Sequence, residues 1–374
     1  MSCAAARNEG WAEVGANLTL QLHGDHYTMG LQHGHQVRAL RPEIERALAT
    51  RWREAQPGPS EASFEALYRE TRALMADLDR PGLDLMRGQA DALGLYLEML
   101  LRCNLAGALL DSRSIRRHLG NEGCTTWAAA GPATAGGQPI LAKNRDSSVE
   151  HLRLQCVAHA TPAVGYRYLY VSSAGSPGVF CAGMNEAGLA VADTHVTSTD
   201  VGPGLPDHSL MMHVLEKHDV VRSAIDYLRS VPRMGRHNLL LADARGSLAA
   251  FEMGHRTFGL RGEHDAIVVN TNHFVSPEMK DSFVDVSAPG EQGDSQRRFE
   301  QATRELEAAF GDIDVSLARQ LMAGHAGPQA AICCHPREAT GYRTISTSIF
   351  LPAEGRMLFC HGLPCQGRWD VFAV

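Results

Sequence analysis

The sequence predicts an α+β fold in which sheets are covered by helices. Residues 1 to about 118 have a helical pattern, and the residues after Cys124 form short apolar runs separated by glycine-rich turns. Helices then return between two clusters of strands. Strand and helix do not alternate regularly, so a doubly wound parallel sheet is not expected.

The first region predicts three helices. Apolar residues recur at helical spacing over residues 38–50 and again over 64–78. A third helix is expected at 83–110, where Gly88 and Gly94 weaken the helical pattern.

The second region predicts strands first. Residues 125–130 and 139–142 form two of them, joined by the flexible turn GPATAGGQ, and the polar run AKNRD follows the second. Hairpins are expected at 238–253 and 346–362, and helices near 209–229, 295–310 and 315–323, the last ending at Gly324. The glycines of GMNEAGLAV (183–191) predict a tight turn into a strand at 189–193, not a dinucleotide-binding loop.

Composition bounds the class of protein. The 374 residues suffice for two or three domains, or for one large body with an appendage, and 44% hydrophobic with 21% charged residues is ordinary for a globular chain. The net charge is −7, and no dense basic block occurs, so nucleic acid is not an expected partner.

Neither a membrane-spanning segment nor a secretory signal is predicted. No apolar run approaches the roughly 18 residues that span a bilayer, so no membrane association is expected. The N-terminal stretch lacks a basic segment followed by an apolar one, which makes the cytoplasm the expected location. Nine scattered cysteines without a CxxC pair are expected to be mostly buried, reduced thiols.

Cys124, in the segment GNEGCTTWAAA, is the strongest chemical candidate. Gly123 leaves little bulk around the preceding carbonyl, so the thiol can attack it in an N-to-S acyl shift. Hydrolysis of that thioester would give Cys124 a free α-amine, whose pKa of about 7.7–8.0 lets it act as the base for its own thiol. The structural alternative is a buried cysteine that only packs.

Two polar segments supply companions for this cysteine. In AKNRD (142–146), Asp146 could hold the new amine, and Lys143 or Arg145 could lower the pKa of the thiol. In VVNTNHF (268–274), an asparagine at a strand end suits an oxyanion donor. Taken alone, each segment is equally compatible with a polar turn.

Motifs along most of the chain resemble one known family. The segments GCTTWA, AKNRD, GMNEAGLAV, NTNHF, SQRRF, ICCHP and TSIFLPAEGRMLFCHGLPC, after the opening LHGDHYTMGLQHG, are similar in content and order to the isopenicillin N acyltransferase family of N-terminal nucleophile hydrolases. The resemblance implies a four-layer αββα sandwich. It also implies self-cleavage between Gly123 and Cys124 into a helical small subunit (1–123) and a catalytic large subunit (124–374) that stay associated.

The resemblance also implies roles for individual residues. Cys124 matches the family nucleophile, Asp146 the acid that positions its amine, and Asn272 the oxyanion-hole asparagine. More distant relatives, the bile salt hydrolases and penicillin V acylases, have an arginine where this chain has Lys143 and a second asparagine where it has His195. Substrate-binding positions are therefore expected at Lys143, Arg145, His195 and Arg298.

These patterns predict an enzyme that hydrolyses a small acyl amide, or transfers its acyl group to an amine, through a thioester on Cys124. An acyl thioester is a possible donor, and no cofactor is expected. One alternative is a hydrolase that never cleaves itself and pairs its cysteine with His195, His273 or His335. Another is a non-catalytic binding protein of the same fold.

Two clusters invite a metal interpretation, and neither is expected to bind metal. His23, His26, His33 and His35 lack the spacing of a helical ligand pair, and packing or surface roles are expected for them. The adjacent Cys333 and Cys334 are expected to be strand residues that face opposite sides.

Overall fold

A computed structural model of the chain describes residues 17–54, 61–106, 123–285, 293–325, 331–335 and 342–374. These residues form helices and two β-sheets, which confirms the predicted α+β class. Among the described residues, no helix has both the length and the apolar character needed to cross a membrane.

The region before Cys124 is helical as predicted, but it begins with a strand, β1 (Leu18–Gly24). The helices described after it are α1 (His26–Gln36), α2 (Arg41–Glu54), α3 (Glu61–Leu78), α4 (Arg80–Leu93) and α5 (Leu97–Ala106). The helices predicted at 38–50 and 64–78 correspond to α2 and α3. β1 was missed because its seven residues pair with a strand far along the chain, which local periodicity does not reveal.

The prediction of one continuous helix at 83–110 is wrong. α4 ends at Leu93, and Gly94 follows in the left-handed conformation with φ of 64°, its N–H directed to the carbonyls of Ala90 and Asp91. Glycine adopts this conformation without a steric penalty, so it caps the helix instead of continuing it. The end predicted at 110 lies outside the described residues.

The strands form two sheets. The first has eight strands in the order β1-β4-β5-β6-β7-β8-β9-β10, and the second has six in the order β11-β2-β3-β12-β13-β14. The bounds of the first half are β2 (Thr125–Ala129), β3 (Ile140–Ser148), β4 (Gln155–Pro162), β5 (Tyr168–Ser173), β6 (Ala182–Asn185) and β7 (Ala190–His195). Those of the second half are β8 (His237–Ala242), β9 (Leu248–Met253), β10 (Phe258–Arg261), β11 (Ile267–Asn270), β12 (Tyr342–Leu351), β13 (Arg356–His361) and β14 (Trp369–Ala373).

Both predicted hairpins are confirmed, because β8 pairs antiparallel with β9 and β12 with β13. The turn predicted in GMNEAGLAV joins β6 to β7. The helical region predicted at 209–229 consists of two helices, α6 (Asp207–Lys217) and α7 (Val221–Ser230). The remaining predicted helices are α8 (Asp294–Ala308) and α9 (Val315–Met322).

Three apolar clusters show that the layers are stacked helix, sheet, sheet, helix. One cluster packs α1–α7 against the eight-stranded sheet through residues such as Tyr68 and Leu215. A second, including Leu141 and Val157, fills the space between the sheets. The third packs α8 and α9 against the six-stranded sheet, with Trp127 at its centre. This is the four-layer αββα sandwich, whose buried faces exclude water from both sheets.

The polar run 142–146 lies inside β3, not in the turn that was predicted to follow the strand. Hydrogen bonds to β2 on one side and β12 on the other hold it there. Alternate residues of a strand face opposite ways, so Lys143 and Arg145 point toward the other sheet, with Leu141. Asp146 shares the opposite face with Ala142, which packs in the cluster of α8 and α9.

The strand predicted at Cys333 and Cys334 is also wrong. Residues 331–335 form an irregular stretch between α9 and β12. The Cys333 N–H donates to the Gly324 carbonyl, and the Cys334 N–H donates to Thr344 Oγ1 at 2.9 Å. Because the Cys334 N–H donates to a side-chain oxygen and not to the carbonyl of a paired strand, Cys333 and Cys334 do not alternate as the residues of a β-strand do.

Candidate active site

Cys124 lies directly after Gly123 and directly before β2, which begins at Thr125. Its side chain is half-buried, and Sγ lies 4.0 Å from the carbonyl oxygen of Asp146 on β3. Burial raises the pKa of the Cys124 thiol, and the nearby Lys143 charge opposes that rise. The thiol therefore occupies a sheet end where a positive charge can stabilise its thiolate.

Asp146 is buried and faces the peptide that joins Gly123 to Cys124. Its Oδ1 accepts a 2.7 Å hydrogen bond from Thr344 Oγ1, whereas Oδ2 has no hydrogen-bond partner among the described residues. A Cβ atom placed on Gly123 would lie 2.8 Å from Oδ2. Burial raises the pKa of Asp146 to about 7. A carboxylate oxygen without a partner thus lies beside the backbone of the predicted cleavage site.

Arg298, on α8, connects Cys124 to Asn272. Its guanidinium donates to the carbonyl of Cys124 at 2.8 Å, to Thr125 Oγ1 at 2.9 Å and to Asn272 Oδ1 at 2.9 Å. A fourth bond, to Asp294 Oδ2 at 2.7 Å, fixes it from its own helix. The side chain is 1% exposed, so all of its donors serve the protein interior.

Asn272 follows β11 and is half-buried at the same end of the sheet. Its backbone N–H donates to Ser295 Oγ at 2.7 Å, and its Nδ2 donates to the carbonyl of His195 at 2.9 Å. Because an amide nitrogen carries two hydrogens, this orientation leaves one Nδ2 hydrogen for another acceptor. The contact with Arg298 holds the amide in that orientation.

Lys143 is 1% exposed and crosses to the other sheet. Its Nζ donates to Asp193 Oδ1 at 2.9 Å and to the Asp193 carbonyl, and the second oxygen of Asp193 lies 3.2 Å from His237 Nδ1. The attraction of Asp193 raises the pKa of Lys143 against its burial, and Lys143 in turn lowers the pKa of Asp193. The pair therefore stays ionised behind the thiol.

Arg145 also faces the other sheet, where it meets β5. It donates to the Ser172 carbonyl at 3.3 Å and to Ser173 Oγ at 2.9 Å, and its guanidinium lies 5.8 Å from the ring of Phe180. These contacts hold it in the layer between the sheets.

The three histidines considered as a base have other surroundings. His195 packs edge-on against His237, and burial lowers its pKa to about 3. His273 lies 2.8 Å from Ser295 Oγ, with its pKa lowered by burial to about 4. His335 lies 3.2 Å from the thiol of Cys365. A Cys/His pair built on Cys124 thus gains no support from these contacts.

The N-terminal histidines point to separate partners. His33 is buried and accepts a 3.0 Å hydrogen bond from the backbone N–H of Gly175, and His26 lies 2.9 Å from Glu216. A packing role accounts for both.

Two residues of the site were missed. Thr344 holds Asp146, and Asp193 holds Lys143, yet neither stands near its partner in sequence. The one available signal is a general one: a buried carboxylate or ammonium needs a partner, and the sequence does not say which. Asp193, Asp207 and His237 also form a group that could ligate a metal, but the Lys143 ammonium already supplies the cation there.

The layers and the thiol at a strand end define the class of the molecule: it has the N-terminal nucleophile hydrolase fold. The chain belongs to the acyl-coenzyme A:6-aminopenicillanic acid acyl-transferase family, whose model matches residues 133–366. The matched span includes Lys143, Asp146, His195, Asn272 and Arg298 and begins after Cys124.

The fold also occurs in a solved structure with a TM-score above 0.5. A mutant of the conjugated bile acid hydrolase from Clostridium perfringens is similar with a TM-score of 0.51 and 13% identity, over 67% of this chain and 92% of that chain. Penicillin V acylase from Agrobacterium tumefaciens gives a TM-score of 0.45 and 19% identity, over 67% of this chain and 86% of that chain. No curated protein matches the sequence.

Proposed function

We propose that this chain is an amide hydrolase or N-acyltransferase that cuts itself between Gly123 and Cys124 and then uses Cys124 as an N-terminal nucleophile. Membership of the acyltransferase family supports the reaction class. The observation that carries the proposal is the buried Oδ2 of Asp146 beside the Gly123–Cys124 peptide, an oxygen with no hydrogen-bond partner in the part of the chain that the structure describes.

Self-cleavage begins when Cys124 Sγ attacks the carbonyl carbon of Gly123. The S–C bond forms, the C–N bond breaks, and the proton of the thiol ends on the Cys124 nitrogen. Water then adds to the thioester carbon, the C–S bond breaks, and Gly123 leaves as a carboxylate while Sγ regains a proton. The fixed Cys124 carbonyl, held by Arg298, keeps this residue in place while its amide bond breaks.

Cleavage would create a partner for Asp146 Oδ2, which has none among the described residues. The new α-ammonium arises beside Gly123, where a Cβ atom would already lie 2.8 Å from Oδ2. An ammonium within hydrogen-bond reach of Oδ2 would donate a charge-assisted hydrogen bond and lower the pKa of the carboxyl group. Asp146 thereby orients the amine toward its own thiol and stays ionised in the mature enzyme.

In turnover, the neutral amine accepts the proton of the thiol and Sγ attacks the acyl carbonyl of the substrate. The remaining Nδ2 hydrogen of Asn272 stabilises the oxyanion, and Lys143 stabilises the thiolate through its charge. The leaving amine takes a proton from the α-ammonium and departs, which leaves an acyl-thioester. Arg298 is a positioning residue, since it holds both Cys124 and Asn272.

Water or an amine completes the cycle by attacking the thioester. A small acyl amide or acyl thioester is the proposed donor, and the residues already named perform every step without a cofactor. His195 and Arg145 are proposed to shape the substrate side of the site, His195 through the carbonyl that holds Asn272. The reducing cytoplasm is the proposed location, where cysteines are kept from forming disulfides.

The two fragments are proposed to remain associated. β1, on the small fragment, pairs in parallel with β4 of the large one over seven residues, from Leu18 opposite Cys156 to Gly24 opposite Pro162. The side chains of Leu20 and Leu22 are at most 1% exposed in the shared core. Separation would expose this core to water, so the helical segment stays bound after the cut.

Denaturing intact-mass measurement tests the proposal, before and after incubation with a panel of acyl amides and acyl thioesters. We expect two fragments that divide before Cys124, and an added acyl mass on the larger one. Cys124→Ala should give one uncleaved, inactive chain, whereas Cys103→Ala, which alters a buried thiol on α5, should be cleaved and active. One intact, active wild-type chain would favour a conventional Cys/His hydrolase, and turnover unchanged in Cys124→Ala would overturn the role of Cys124.

A further inference from the structure

Outside the proposed active site, four side chains with metal-binding atoms converge. They are His325, Cys333, His335 and Cys365, and their ligand atoms all lie within 4.8 Å of one another. The first three belong to the stretch after α9 and the fourth to the turn between β13 and β14. Nothing in the self-cleavage or the acyl transfer uses them.

The distances between these atoms suit a single shared ion. Cys333 Sγ lies 3.6 Å from Cys365 Sγ, and His335 Nε2 lies 3.2 Å from the same Cys365 sulfur. Two sulfurs that each bind Zn²⁺ at about 2.3 Å in a tetrahedron are about 3.8 Å apart, and a sulfur and a nitrogen are about 3.6 Å apart. The His325 and His335 rings are adjacent, with centroids 4.8 Å apart.

The donor set selects the kind of ion. Two thiolates and two imidazoles are the ligands of tetrahedral zinc sites, whereas magnesium and calcium prefer oxygen. Two thiolates also balance the charge of one divalent ion. Cys333 is buried and His335 and Cys365 are half-buried, so the ion would be partly shielded, with His325 closing the exposed side.

We propose that His325, Cys333, His335 and Cys365 bind one zinc ion in a closed, structural site. Four protein ligands leave no position for water or substrate, which separates this site from catalytic zinc centres. The ion would join the irregular stretch after α9 to the turn after β13, two segments that are 30 residues apart at His335 and Cys365.

The zinc site would also help to hold Asp146 in place through Thr344. Cys334, between two of the ligands, donates its N–H to Thr344 Oγ1 at 2.9 Å and accepts a 2.9 Å bond from the Thr344 N–H. Thr344 in turn donates to Asp146 Oδ1 at 2.7 Å. Fixing Cys333 and His335 on one ion would therefore fix the threonine that orients the carboxylate.

Metal content tests the proposal directly. The purified full-length chain is incubated with Zn²⁺, dialysed against metal-free buffer and analysed by inductively coupled plasma mass spectrometry. We expect about one zinc per chain, and at least a tenfold loss in Cys333→Ser and in Cys365→Ser. Cys334→Ser is the matched control, since it removes a thiol from the same stretch and should keep the zinc. Zinc below one tenth per chain in the wild type, or equal in all variants, would overturn the proposal.

A second measurement needs no variant. Co²⁺ added to the metal-free wild-type chain should give a thiolate-to-cobalt charge-transfer band and the intense visible bands of tetrahedral coordination, which added Zn²⁺ abolishes. A spectrum of octahedral, water-bound cobalt would contradict the site. A Cys333–Cys365 disulfide in protein purified without oxidant would also contradict the site, if the protein still took up no zinc after the disulfide was reduced.

Discussion

The two faces of β3 hold two buried aspartate environments of opposite kind. On one face Lys143 reaches Asp193, whose carboxylate has an ammonium and an imidazole beside it. On the other face Asp146 has one bonded oxygen and one oxygen without a described partner. The pKa of Asp193 is lowered by its partner Lys143, and that of Asp146 is raised to about 7 by burial. Asp193 thus has its counter-charge in the uncut chain, whereas under the proposed function Asp146 would gain one from the α-ammonium that cleavage creates.

The largest expected effect is that of Asp146→Asn. An amide cannot pair with the new ammonium, so we expect self-cleavage to slow and the activity of any cleaved protein to fall on the order of 1000-fold. At pH 4, where the folded chain keeps Asp146 protonated, the free energy of unfolding should stay close to that of the uncut Cys124→Ala chain, because Oδ2 has no described partner to lose. Intact mass, turnover and urea unfolding measure the three quantities. A change in stability alone would make Asp146 a structural residue.

Asp193→Asn should show the reverse pattern. It leaves the buried Lys143 ammonium without its counter-charge, and breaking a buried ion pair typically lowers the free energy of unfolding by about 3–5 kcal/mol. Urea unfolding of this variant beside Asp146→Asn checks the contrast in one experiment. If both variants lose equal stability, the two carboxylates do not differ as described.

The uncut chain should lose stability as pH rises from about 4 to about 7. The folded pKa of Asp146 is raised to about 7 from 3.8, so the folded state holds more protons than the unfolded state in this window. Stability is full below the unfolded pKa of about 4 and falls by about 4 kcal/mol by pH 7. Urea unfolding of Cys124→Ala at several pH values measures the slope. Adding Asp146→Asn should remove it, and an unchanged slope would assign it to other groups.

Asn272→Ala should lower kcat on the order of 100-fold, about 2.7 kcal/mol of barrier, if its amide holds the oxyanion. Asn270→Ala is the matched control. Asn270 is the last residue of β11, and its Oδ1 accepts a hydrogen bond from Arg261. We expect that control to reduce stability and to spare kcat in the folded fraction. A rise in KM alone for Asn272→Ala would reassign it to binding.

Much of the fold could be predicted from the sequence, because its patterns are local. The periodicity of α3 and the two hairpins follow from short-range spacing. The break at Gly94 needed the left-handed conformation that only the fold reveals. The polar run around Asp146 was taken for a turn because charged side chains are rare in a buried strand, and it is tolerated there through partners on β7 and β12.

The site was predicted in part, and the rest depends on long-range contacts. Cys124 lies beside Asp146 and is linked to Asn272 through Arg298, and the roles that the family resemblance implies for these three residues remain predictions. Arg298 donates hydrogen bonds to Cys124, 174 positions away, and to Asn272, 26 positions away, and no rule of sequence spacing predicts such contacts. The four proposed zinc ligands were not predicted for the same reason, because the sequence pairs Cys333 with its neighbour Cys334 and gives no sign of its contact with Cys365.

N-terminal sequencing of the purified, active protein tests the central claim most directly. The account predicts a large fragment that begins Cys-Thr-Thr-Trp, from Cys124 to Trp127, in equal amount to the small one. Full activity in a preparation whose every chain still carries an intact Gly123–Cys124 bond would contradict it.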